Sequence, residues 1–230
     1  MRDRLKQVPL FAQMDDDDLE RLAQIVRVAE YRRGEQVFLA GDPGDAFYMV
    51  ISGSVRIYIL SEDGREKTLT LLGPGEFFGE MALVDDAPRS ASAQALEFAR
   101  LMVLSRGAFT HMITTHPDMA IKVIRVLSQR LREANSQMEQ LAFGDVRGRV
   151  AAVLLDLAQR YPAPARKELR IAFRLTQQEL AHLTGTARET VTRVLGEFQD
   201  RGWIRIDERH YVVCAPERLR ELAASRIRNA

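Results

Sequence analysis

Residues 175–195, LTQQELAHLTGTARETVTRVL, hold two helix starts and a turn within 21 residues. Thr176-Gln-Gln-Glu179 and Thr186-Ala-Arg-Glu189 each match the capping box, in which a hydroxyl and a Glu three residues later satisfy exposed amides at a helix start. The starts lie ten residues apart, which leaves room for one short helix, a tight turn at Thr184-Gly185 and a second helix. Leu180 and Leu183 are read as facing inward from the first helix, and Ala181 is small enough to let the helices cross closely. Val191, Val194, Leu195 and Phe198 form the i, i+3, i+4, i+7 stripe of the second. This spacing predicts a helix-turn-helix. Off that stripe stand Arg188, Glu189, Thr192 and Arg193. Arginine can donate twice to guanine O6 and N7, and Glu can accept from cytosine N4, so the set suits a G·C-containing duplex. Thr176 and Gln177, at the start of the first helix, complete the DNA-facing candidates. The plainer alternative is that Glu189 only closes its capping box and the arginines are solvated.

Downstream, Trp203-Ile-Arg-Ile206 and Tyr211-Val-Val213 flank the polar turn Asp207 to His210, the pattern of a hairpin wing. Upstream lies a loop with Pro162 and Pro164. Before it, a helical pattern runs from Pro117 to about Phe143. In it Ile124, Leu131 and Met138 recur every seven residues, as do Leu127, Ala134 and Leu141 three residues further on. Together they fill the a and d positions of a heptad, the seam of a parallel helix pair. At about 1.5 Å per residue the helix spans roughly 40 Å. A homodimer is therefore expected, against the alternative that the stripe packs on the helix's own domain.

From Tyr31 to Leu104 the texture is different. Glycines at 34, 41, 44, 53, 64, 73, 75 and 79 punctuate short apolar runs such as Tyr48-Met-Val-Ile51, Val55-Arg-Ile-Tyr-Ile59 and Thr68-Leu-Thr-Leu-Leu72. Closely spaced short strands of this kind predict an antiparallel barrel or jelly roll. Asp63-Gly64 marks one hairpin. Ahead of the roll, the acidic run Asp15 to Asp18 precedes a helical stripe of Leu19, Leu22, Ile25 and Val26. Carboxylates there favour the positive end of the helix dipole, so the run is read as a cap and not as a metal site. The whole chain is thus expected to be α+β: an N-terminal β-roll or jelly roll over 1–116, a long dimerisation helix and hinge over 117–144, and a C-terminal winged helix-turn-helix over 145–230.

Bulk properties agree with that division. The 230 residues, 46% hydrophobic and 28% charged, suffice for two cores and exclude wholesale disorder. The net charge of +1 hides an asymmetry: residues 1–110 carry 13 Lys+Arg against 18 Asp+Glu, and the remainder 20 against 14. Residues 146–230 alone carry 16 against 10, which suits attraction to a polyanion. Cys214 is the only cysteine, which excludes internal disulfides and a cysteine-ligated iron–sulfur cluster. No stretch reaches signal-peptide character or the roughly 18 apolar residues of a membrane span, so a cytoplasmic protein without membrane contact is expected.

The remaining chemistry lies in Gly75-Glu-Phe-Phe-Gly-Glu-Met-Ala-Leu83 and Asp85-Asp-Ala-Pro-Arg-Ser-Ala-Ser92. Arg and Ser supply donors for a phosphate, and the Glu can accept from a sugar hydroxyl, so one anionic nucleotide satisfies all of them. With FGEMAL, PRSASA, the hinge LAFGDVRGRVAAVLLDLAQR and LTQQELAHLTGTARETVTRVL in this order, the chain resembles the Crp/Fnr family of bacterial transcription regulators, and within it the cyclic-AMP receptor proteins. The resemblance covers nearly the whole chain. It implies cyclic AMP as an allosteric effector and no metal. Gly79 and Glu80 would approach the ribose 2′-hydroxyl, Arg89, Ser90 and the amide of Ala91 would hold the cyclic phosphate, Met81 would line the same site, and Arg130 would lie near the ligand on the long helix. It implies that Arg188, Glu189 and Arg193 read a palindromic TGTGA-like site, that the Asp63-Gly64 hairpin closes over the ligand, that the chain bends near Phe143 to Asp145, and that RNA polymerase is a further partner. Where such receptors often carry Thr then Ser to meet the adenine amino group, this chain has Ala134 and Asn135. Ala134 offers no hydrogen bond, whereas the Asn135 amide can still accept one. Haem ligation finds no support, because His111, His116, His182 and His210 are not paired at ligand spacing, and no hydrolase or Walker motif occurs. The other readings are a ligand-independent or other-effector regulator of the same family, a nucleotide-binding module that contacts protein, and an enzyme that consumes the nucleotide.

Overall fold

The computed structural model describes residues 11, 15–163, 169–207 and 210–224; Pro164 of the proline loop and the wing turn at 208–209 lie outside them. Contacts divide the chain into two compact units, Met1–Ile59 with Leu69–Leu131, and Leu60–Thr68 with Arg132–Ala230. Among the described residues no helix is long and apolar enough to cross a membrane.

The first unit begins with α1 (Asp16–Ile25), whose N-cap Asp15 accepts the Asp18 amide at 2.8 Å, as the acidic run predicts. The roll follows: β1 (Arg27–Tyr31), β2 (Gln36–Phe38), β3 (Ala46–Ser52), β4 (Val55–Leu60), β5 (Glu66–Leu72), β6 (Phe77–Phe78), the single turn α2 (Met81–Val84), β7 (Ser92–Ala95) and β8 (Ala99–Ser105). One sheet runs β1-β8-β3-β6 and the other β2-β7-β4-β5. The described pairings of the roll are antiparallel. In β3 and β8 side chains alternate between two cores, as a period of two requires. Ala46, Tyr48, Val50, Leu101 and Val103 turn between the sheets, with Val55, Phe78 and Ala93. Phe47, Met49, Met102 and Leu104 turn the other way, under α1, α3 (Arg106–Thr115) and the start of α4 (Pro117–Phe143). The central strands therefore read as nearly continuous apolar runs.

The long helix has the expected extent, and its apolar residues serve two faces. Met119 and Val123 are buried, and Val126 and Leu127 pack half-buried against the same core. Ile124, Leu131 and Met138 are 55%, 63% and 59% exposed. An i, i+3, i+4 core face and an i+7 stripe share residue types, and composition alone cannot separate them.

The second unit holds α5 (Val146–Arg160), α6 (Gln177–Thr184), α7 (Arg188–Asp200) and α8 (Pro216–Ala224), with a three-stranded sheet. In that sheet β11 (His210–Val213) lies between β10 (Ile204–Asp207) and β9 (Leu169–Arg170). Ile204 pairs with Val213 and Asp207 with His210, the predicted wing. Leu154, Leu180, Val191, Val194, Leu195 and Phe198 are buried. Leu183 is only half-buried, contrary to expectation, and Thr184 takes the inward place, its hydroxyl donating to the Leu180 carbonyl at 2.7 Å. A Thr at a helix end satisfies its own polar atom on the preceding turn and so tolerates burial.

Phe47 stacks on Phe109 at 5.1 Å and tilts against Phe77 at 5.2 Å, and is 1% exposed. Phe47→Ala is expected to lower stability by about 3–5 kcal/mol, measured as a shift of the urea midpoint of the roll.

Candidate functional site

The first candidate site is built where β6 meets α2. Gly79 has φ +82°, and a Cβ there would stand 2.7 Å from Arg89 Nη1 and 3.1 Å from the Ala46 carbonyl, so only glycine lets the chain pass this close to the arginine. Arg89 is 4% exposed. Its Nη1 donates to the Gly79 carbonyl and its Nη2 to the Ala46 carbonyl, both at 2.7 Å, and its guanidinium lies over the Phe38 ring at 4.3 Å. Burial draws its pKa below the usual arginine value, opposed by the charges of Tyr48, Asp45 and Glu80. Two of its five N–H groups are thus committed to the backbone, and Nε has no partner.

Glu80 is 2% exposed. Its Oε1 accepts from Arg130 Nη1 at 2.8 Å, and Arg130 also donates to the Phe77 carbonyl and covers the Phe77 ring at 5.2 Å. Glu80 Oε2 has no partner. A buried carboxylate oxygen and a buried guanidinium N–H left open cost about 1–3 kcal/mol each or more. A hydroxyl donor would satisfy the first and an anionic acceptor the second.

The structure thus gathers Gly79, Glu80, Arg89 and Arg130 around the β6–α2 turn, Glu80 and Arg89 buried and Gly79 and Arg130 half-buried. Met81, 49% exposed, and Ser90, whose hydroxyl lies 3.8 Å from Met81 Sδ, form an exposed rim, and Ala91 is buried. Arg106 pins the intervening loop by donating to the Gly44 and Ala82 carbonyls at 2.5 and 2.8 Å and pairing with Asp86. Ala134 and Asn135 are exposed on α4. Phe38, Tyr48 and Ala46, which seat Arg89, lie far from it in sequence and escaped sequence reasoning. No motif marks a carbonyl or an aromatic face as an arginine's partner.

The second candidate site is the helix-turn-helix. The first predicted capping box forms: Thr176 Oγ1 accepts the Glu179 amide at 3.2 Å, and Glu179 Oε2 accepts the Thr176 amide at 2.6 Å. The second does not. The N-cap of α7 is Ala187, with no side-chain bond, because the Thr186 amide is held by the Ala181 carbonyl at 3.2 Å and the helix starts one residue late. Glu189 therefore closes no box and stands exposed in the first turn with Arg188, while Thr192 and Arg193 are exposed in the second. Thr192 Oγ1 lies 2.7 Å from Gln177 Oε1.

The turn itself is held by cations. Gly185 caps α6 at φ +65°, Arg149 Nε donates to the Thr184 carbonyl at 3.0 Å, and Lys67 Nζ donates to the Leu183 carbonyl. Positive charge at these terminal carbonyls also favours the negative end of the helix dipole. Glu66 pairs with His182 at 3.3 Å, so the hairpin tip is bound within the second unit. Leu141, expected in the seam, lies against this turn, with Cδ2 3.4 Å from where a Gly185 Cβ would stand. In the wing, Arg170 pairs with Asp207 and bonds His210 Nδ1 at 2.9 Å. Burial, and then the charge of Arg170, lower the His210 pKa. A neutral ring can accept there. Among the described residues no group of three or more His, Cys, Asp or Glu could hold a metal ion.

Burial, then the charge of Arg149, lower the Lys67 pKa to about 8. Below pH 8 the ammonium is buried at full cost. Between about 8 and the unfolded value the folded form sheds its proton first, so this group makes stability rise with pH. Urea melts from pH 7 to 10.5 are expected to show that rise, and Lys67→Met to remove it.

Two family models match the chain, the cyclic nucleotide-binding domain at residues 28–116 and the Crp-like helix-turn-helix domain at 148–222. The CRP-like cAMP-activated global transcriptional regulator of Mycobacterium tuberculosis is 38% identical over 219 residues, covering 95% of this chain and 98% of that protein. The cyclic AMP receptor protein of Thermus thermophilus is 39% identical over 202 residues, 88% of this chain and 90% of that one. Among solved structures, the c-di-GMP responsive global regulator CLP of Xanthomonas campestris superposes with a TM-score of 0.71 at 30% identity, covering 86% of this chain and 99% of that one.

Proposed function

Since the chain belongs to the Crp/Fnr family of transcription regulators, with a cyclic nucleotide-binding and a helix-turn-helix domain and no enzymatic role, we propose that it is a homodimeric regulator switched by cyclic AMP and directed to a palindromic TGTGA-like site. The observation that carries the effector reading is the pair of buried, unpartnered atoms Glu80 Oε2 and Arg89 Nε. A cyclic nucleotide offers a ribose hydroxyl to the first and a phosphate oxygen to the second, with Gly79, Ser90 and the Ala91 amide at hand. Arg130 shares the Glu80 carboxylate, so the hydroxyl and the long helix draw on one acceptor. The exposed Ile124, Leu131 and Met138 supply the stripe for a second copy.

In the dimer, the effector favours the arrangement in which two recognition helices, presenting Arg188, Glu189 and Arg193, meet successive major grooves about 34 Å apart. Coupling of about 1–3 kcal/mol gives roughly 5- to 150-fold in DNA affinity. RNA polymerase is the proposed partner of the DNA-bound dimer. Ala134 favours a second reading, a different cyclic nucleotide as effector, which the likeness to a c-di-GMP responsive regulator also supports. In the first reading Asn135 supplies the acceptor for adenine.

Isothermal titration with cyclic AMP is expected to give saturable binding, which Arg89→Ala weakens by roughly 10- to 150-fold, since charged hydrogen bonds contribute about 1.5–3 kcal/mol. Saturation by c-di-GMP or cyclic GMP alone selects the second reading, and no heat with any cyclic nucleotide overturns both. In gel shifts on the palindrome, Arg188→Ala is expected to lose guanine discrimination of about 1–3 kcal/mol.

A further inference from the structure

Arg106 is the first residue of α3, and its amide donates to the Asp45 carbonyl at 2.9 Å. Its Nη2 donates to the Gly44 carbonyl at 2.5 Å and to the Ala82 carbonyl at 2.8 Å, and its Nη1 pairs with Asp86. One planar fork thus joins three segments: the loop before β3, the single turn α2, and the stretch between α2 and Arg89. Arginine can make such a set of bonds, whereas the lysine ammonium is a point charge. A helix of one turn leaves its last carbonyls without helical partners, so the Ala82 carbonyl takes its bond from outside. Gly44 lets the segments meet, because a Cβ there would stand 2.2 Å from the Ala82 Cβ. Asp86 reaches its pair from φ +57°, a left-handed conformation that Asp tolerates better than most residues.

The joined segments carry both effector anchors. Glu80 is the residue before α2, and Arg89 follows Asp86 by three. One end of the loop is closed by Arg89, whose side chain donates to the Gly79 and Ala46 carbonyls. Its backbone exchanges bonds with the loop before β3, the Gly41 amide giving to the Arg89 carbonyl at 2.8 Å and the Arg89 amide to the Asp42 carbonyl at 2.9 Å. The middle of the loop is closed by Arg106. We propose that Arg106 is a positioning residue of the effector site: by tying α2 and Asp86 to the loop before β3, it sets the separation between the Glu80 carboxylate and the Arg89 guanidinium. With that separation it sets the preference for a ribose 2′-hydroxyl. A ligand that spans two anchors gains the second contact only where their spacing is held to within about 0.5 Å. A 2′-deoxy nucleotide engages Arg89 without Glu80 and does not sense the spacing. This rests on the effector reading above.

The test is isothermal titration of the full chain with cyclic AMP and with 2′-deoxy cyclic AMP. The wild type is expected to favour cyclic AMP by roughly 10- to 150-fold, the contribution of a hydrogen bond to a charged group. Arg106→Lys keeps the charge that attracts an anion and loses the fork. It is expected to weaken cyclic AMP by roughly 10-fold and the 2′-deoxy form by less than about 2-fold, so that the preference shrinks. Asp86→Gly leaves the left-handed backbone open and removes one partner of the fork at an exposed position, and is expected to shrink the preference by a smaller factor. An Arg106→Lys variant with the wild-type preference, or with both nucleotides weakened equally, overturns the role of Arg106, since lost stability or lost charge acts on both alike. Where thermal melts show that variant unfolded, Asp86→Gly decides by the same two criteria. A wild type that binds neither nucleotide, or binds both equally, overturns the effector reading itself and the proposal with it.

Discussion

The guanidinium of Arg89 is buried among carbonyls and aromatic rings, a few side chains from the buried carboxylate of Glu80, and each keeps one polar atom unsatisfied. Buried charge is tolerated only where its bonds are met, so the surroundings of these two residues are closely constrained. Gly79 must be glycine for the backbone to come near enough to accept from Arg89. Phe38 must present its face to the guanidinium, and the Ala46 carbonyl must point the same way. Two strands and a turn of the roll thus converge on one cation.

The same carboxylate ties the roll to the first part of the long helix through Arg130. That helix carries two sets of apolar residues: Met119, Val123, Val126 and Leu127 complete the core of the first unit, while Ile124, Leu131 and Met138 are exposed. A ligand hydroxyl that competes for or reinforces the Glu80–Arg130 pair would act on a helix already fixed to that core. The proposed switch thus needs no long chain of contacts at its first step.

In the second unit, backbone geometry and polar economy set the surface offered to DNA. The turn is fixed by Gly185 and by two cations on the last carbonyls of α6. Because α7 starts at Arg188 with no side-chain cap, Glu189 is left exposed instead of folded back on the helix end. Thr192, by contrast, has its hydroxyl engaged within the protein. Neighbouring residues of one helix therefore divide into those with free chemistry and those whose chemistry is already used.

The sequence by itself determined the order of elements, the alternation of the roll strands, the acidic cap at Asp15, the turn at Gly185 and the buried stripe of α7, because each follows from local propensity and periodicity. Glu80 and Arg89 were legible through the motif that carries them, and Arg130 only through the family resemblance. Which apolar residues of α4 face the core, which Thr closes a capping box, and what seats Arg89 were decided only by the tertiary structure. Those outcomes depend on contacts between residues distant in the chain, Arg89 with Phe38 and Ala46 or Thr192 with Gln177, and on a one-residue shift in a helix start. Local pattern carries no record of such partners, since a carbonyl or a ring face becomes a binding group only once folding has brought it there.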